Sequence, residues 1–60
     1  MTKAMLIHIV LKEGEILRRE YSRDNVVLYV KYDNNIFCIS NPNERRSTIE
    51  LVKNYTAGTI

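Results

Sequence analysis

Sixty residues, 45% of them hydrophobic, carry nine Lys+Arg against seven Asp+Glu, for a formal net charge of +2. Such a chain forms one domain at most, 1–60 as a single unit, and it buries only about 60% of the surface that its unfolded form exposes. Plentiful apolar residues and a low net charge argue against disorder, one Cys excludes an internal disulfide, and one Cys with one His cannot supply four zinc ligands.

Residues 4–11 are apolar except for His8. Near-continuous apolarity with several β-branched residues predicts a central strand buried on both faces. The run is too short to span a membrane and no small-residue cleavage site follows it. With a single unpaired cysteine, a reducing, cytoplasmic setting is expected.

Residues 12–15 read as a turn pivoting on Gly14. Residues 15–21 read as a strand with Leu17, Arg19 and Tyr21 on one face and Ile16, Arg18 and Glu20 on the other. One or two helical turns pressing Ile16 and Leu17 on the core are the alternative. Ser22, Arg23, Asp24 and Asn25 form a polar turn.

Residues 26–32 give the clearest strand, because five of the seven are Val or Tyr. Val26, Leu28 and Val30 share the core face, followed by Tyr32; Val27, Tyr29 and Lys31 share the other. Asp33, Asn34 and Asn35 tolerate the left-handed backbone that a tight hairpin needs. The returning strand, 35–40, sets Phe37 and Ile39 on one face and Ile36, Cys38 and Ser40 on the other.

Asn41 and Pro42 open either a loop or a helix, with Asn41 as cap, Pro42 at the first helical position and Glu44 reaching back. Ile49 and Leu51 alternate as in a strand over 48–53, whereas Ile49, Val52 and Tyr55 also recur as a helical stripe. Residues 56–60 read as a frayed tail. The expected architecture is mainly β: a five-stranded antiparallel sheet or a small barrel of the SH3 or OB type. The alternative is a four-stranded meander with a C-terminal helix over 42–55.

No catalytic constellation assembles. His8 stands alone in an apolar run, Cys38 lies between Phe37 and Ile39 with no activating cation, and Gly14 and Gly58 are too far apart to cradle a phosphate. No enzyme activity, metal or small-molecule cofactor is expected. The arginines are unevenly placed: Arg18, Arg19 and Arg23 in one cluster, Arg45 and Arg46 in another. With Tyr21, Tyr29 and Lys31 they make an expected binding surface. Tyr and Arg are enriched at protein-interface hot spots, which points to a protein-binding regulator or inhibitor working through an edge strand. Rings beside cations also suit single-stranded nucleic acid, the alternative; a net charge of only +2 favours a protein partner. So small a fold, with exposed edges, is also expected to pair with a second copy of itself.

Overall fold

The N-terminal apolar segment is a helix, not a strand. In the computed structural model, which describes residues 1–53, α1 spans Lys3–Glu13. Thr2 caps it: the Thr2 hydroxyl accepts from the Met5 N–H at 3.2 Å, which satisfies one of the unpaired donors of the first turn. Ala4, Met5, Leu6, Leu11 and Lys12 are good helix formers and outweigh the β-branched Ile7, Ile9 and Val10. Gly14 closes the helix, donating its N–H to the Val10 carbonyl at 2.9 Å. The strand expectation rested on unbroken apolarity, and a short unbroken run carries no period by which helix and strand differ.

The remaining elements form one antiparallel meander. β1 is Glu15–Ser22, β2 Asn25–Tyr32, β3 Asn35–Ser40 and β4 Thr48–Val52, in the spatial order β1-β2-β3-β4. The fold is therefore mainly β, as the sequence indicates, with four strands in an open sheet. Five strands become four because the first segment is α1. The sheet does not close into a barrel: among the described residues β1 pairs only with β2, and β4 only with β3. The helix of the four-stranded alternative exists, but at the N-terminus. No helix occupies the described part of 42–55, where β4 forms as the alternation of Ile49 and Leu51 indicates.

Asn41 explains why no helix starts there. Its φ is +49°, outside the range that a helix cap uses, and its side chain is committed elsewhere. Its Oδ1 accepts from the Val26 N–H at 3.0 Å and its Nδ2 donates to Asn25 Oδ1 at 3.2 Å. Its own N–H donates to the Val26 carbonyl at 2.8 Å. Asn41 thus latches the end of β3 to the start of β2 and is buried in doing so. The chain then turns through bonds from Glu44 N–H to the Asn41 carbonyl and from Ser47 N–H to the Glu44 carbonyl, each 3.1 Å.

The β2–β3 turn is as tight as its residues allow. Asp33 and Asn34 have φ of +53° and +62°, the pattern of a two-residue primed turn whose twist matches the strands. Asn35 follows directly as the first residue of β3, opposite Tyr32.

α1 lies across one face of the sheet. Ile7 and Val10 from the helix meet Leu28, Val30 and Ile39 from β2 and β3, and these five form the buried core. Leu6, Leu11, Ile16, Val26, Tyr32, Phe37 and Ile49 pack around them. Gly14 is required by close approach: a Cβ there would sit 2.5 Å from the Val10 carbonyl oxygen and 2.7 Å from Val30 Cγ1. The result is a two-layer slab of 30 × 29 × 17 Å.

Candidate functional site

The face of the sheet opposite α1 has no covering layer among the described residues. Paired residues of an antiparallel sheet share a face, so the register defines this surface. One row across it reads Arg18, Tyr29, Cys38, Glu50. A second reads Glu20, Val27, Ser40, Thr48, and a third Glu15, Lys31, Ile36, Val52. The two central strands place Val27, Tyr29, Ile36 and Cys38 in the middle, all half-buried. Glu15, Arg18, Glu20, Lys31 and Glu50 stand around them and are exposed.

Among the described residues one ion pair forms on the rim. Arg18 Nε pairs with Glu20 Oε2 at 2.8 Å, and Glu15 stands opposite Lys31. Glu50 makes no ion pair among the described residues. At the centre, Tyr29 and Cys38 are direct cross-strand neighbours and hydrogen-bond partners. Burial pushes the Cys38 thiol above its ordinary pKa, with Glu50 and Glu20 adding to the effect and the bond to Tyr29 opposing it. The Tyr29 hydroxyl is also raised, first by charge on Cys38, then by burial and by Glu20. Cys38 is thus a neutral thiol at pH 7, the opposite of an activated nucleophile.

The structure divides the eight residues singled out in the sequence into three groups. Arg18, Tyr29 and Lys31 come together on the open face. Arg19 and Tyr21 do not: they lie opposite Leu28 and Val26 on the helix-bearing side, at the exposed edge strand, where Tyr21 keeps 70% of its surface. Simple alternation from Arg18 puts them there, and a bulge between Ile16 and Arg18 changes only the start of the strand. The extra residue, Leu17, reverses the alternation, so Ile16 rather than Leu17 shares a face with Arg19 and Tyr21. Arg23 lies in the β1–β2 turn, and Arg45 and Arg46 lie in the loop 41–47, all exposed. Arg46 is a clamp between these two segments: Nη2 donates to the Asp24 carbonyl, and Nε pairs with Glu44 at 2.8 Å. Tyr55 and the tail 56–60 lie outside the described residues.

His8, expected inside the core, is exposed on α1. It borders a groove of about 430 Å³ between the helix and Pro42 and Asn43. Among the described residues no group of three or more His, Cys, Asp or Glu comes together, and no helix is long and apolar enough to cross a membrane. Sequence reasoning placed Val27 with Tyr29 but did not collect Ile36 and Val52 with them, although the signal was present: β2 and β3 are apolar at both alternations. Comparisons with protein-family models, curated proteins and solved structures find no match to this chain.

Proposed function

We propose that this protein is a non-enzymatic binding module, a regulator or inhibitor whose sheet offers protein partners two surfaces, its open face and its β4 edge. The observation that carries this reading is the arrangement of the open face. Val27, Tyr29, Ile36 and Cys38 form an apolar centre, and charged side chains stand only around it. An apolar centre depleted of charge inside a polar rim is how protein interfaces are organised. Tyr29 beside Arg18 supplies the residue types that dominate binding energy at such interfaces.

Nucleic acid is the second reading, and the charge on the same face weighs against it. Three acids, Glu15, Glu20 and Glu50, share it with two cations, Arg18 and Lys31. The edges differ too. β1 carries Arg18, Arg19 and Glu20 in succession beside its bulge, the features that blunt an edge against added strands. β4 carries one charge, Glu50, and is the edge suited to strand pairing.

Chromatography of the full chain on an immobilised single-stranded oligonucleotide, across a salt series, tests the choice. The protein reading predicts no retention even at low salt. Retention that collapses steeply as salt rises would replace it with the nucleic-acid reading.

A further inference from the structure

We infer that the partner of the open face is the open face of a second copy, so that two chains form a sandwich about a two-fold axis running along the strands. This inference rests on reading that face as a binding surface. Two sheets stacked face to face sit about 10 Å apart with their strands roughly aligned. An axis between β2 and β3 then lays β1 of each chain over β4 of the other, and β2 over β3.

The charge pattern fits that operation. In the row Arg18, Tyr29, Cys38, Glu50, the cation is at the β1 edge and the acid at the β4 edge. The axis brings Arg18 over Glu50 of the partner subunit, and symmetry makes the contact twice. Glu50, which has no ion pair among the described residues, thereby gains one. In the middle of the row, Tyr29 meets Cys38 of the partner subunit. The contact is isologous, one patch serving both sides, and a net charge of +2 per chain adds little repulsion once screened.

Size fits as well. The open face is smaller than the slab's 30 × 29 Å outline: four short strands about 4.8 Å apart give a small interface, in keeping with association at micromolar to millimolar concentration. A chain this small needs a staple, and a second copy is one. The outward stripe of α1, with Met1 and Met5 exposed, is the competing apolar surface. The Met5 variant below separates the two surfaces.

Sedimentation equilibrium of the full chain at micromolar to millimolar concentration tests the inference. The expected species is twice the 7.0 kDa chain mass. The same axis lays Ile36 over Lys31 of the partner subunit, so Ile36→Lys should weaken association at least ten-fold, and Met5→Glu should leave it unchanged. Should Ile36→Lys fail to fold by circular dichroism, charge reversal decides instead: Arg18→Glu weakens the dimer, and adding Glu50→Arg restores it. A wild-type monomer throughout, dissociation by Met5→Glu, or indifference to Arg18→Glu would overturn the inference. A monomer leaves the binding-module reading standing, whereas oligonucleotide retention removes that reading whatever the mass.

Discussion

The two faces of the sheet are made from the same strands by simple alternation, yet only one is a core. β2 and β3 send Leu28, Val30 and Ile39 to the side under α1, where all three are buried. They send Val27, Ile36 and Cys38 to the other side, where neighbouring strands alone half-bury them. The residue types are similar; the cover differs. The one helix among the described residues has material to cover one face. Apolar centres on both faces therefore leave one of them without a cover among the described residues.

The largest test of this contrast is a matched pair of truncations. Ile39→Ala on the covered face should cost about 2–5 kcal/mol, the range for emptying a closed core site. Ile36→Ala on the open face, measured by urea unfolding at concentrations dilute enough to keep the chain monomeric, should cost clearly less. Equal losses would mean that the open face is packed within one chain.

Next in size is the latch that holds the two central strands in register. Asn41→Ala removes two side-chain hydrogen bonds to the start of β2 and leaves a positive-φ position to a residue that disfavours it. The expected loss is about 1–3 kcal/mol, since a buried backbone donor is left unpaired, and the same urea titration reads it. An unchanged midpoint would show that the latch is incidental.

The smallest expected effect separates the faces by pH. Cys38 and Tyr29 both titrate above their ordinary values, so the fold favours their neutral forms. That stability is fully present below the ordinary thiol value of about 8.5 and is lost as pH rises through the raised values. The urea midpoint should therefore fall between pH 8 and alkaline pH, and fall less in Cys38→Ser. A midpoint that rises in the same interval would contradict the assigned environment.

The sheet was legible in the sequence because its signals are local. Alternation in 26–32 and 35–40 placed each side chain on its face, and the Asp33-Asn34 turn set the register. The same alternation showed that Tyr29 and Lys31 share a surface. What was not legible depended on a missing period or on distant partners. α1 was misread because apolar residues surround the helix and erase the stripe. Ile16 left the face of Arg18 and Glu20 because one extra residue, Leu17, bulges. Asn41 looked like a helix cap because its bonds to Asn25 and Val26 reach fifteen or so positions back along the chain.

Cys38 sits at the centre of the open face and is the one cysteine of the chain, so its alkylation rate reports directly on whether a second copy covers that face. Labelling followed at fixed pH over a dilution series should slow as protein concentration rises and reach its monomer rate on dilution. A rate independent of concentration across the micromolar to millimolar range would contradict the central claim.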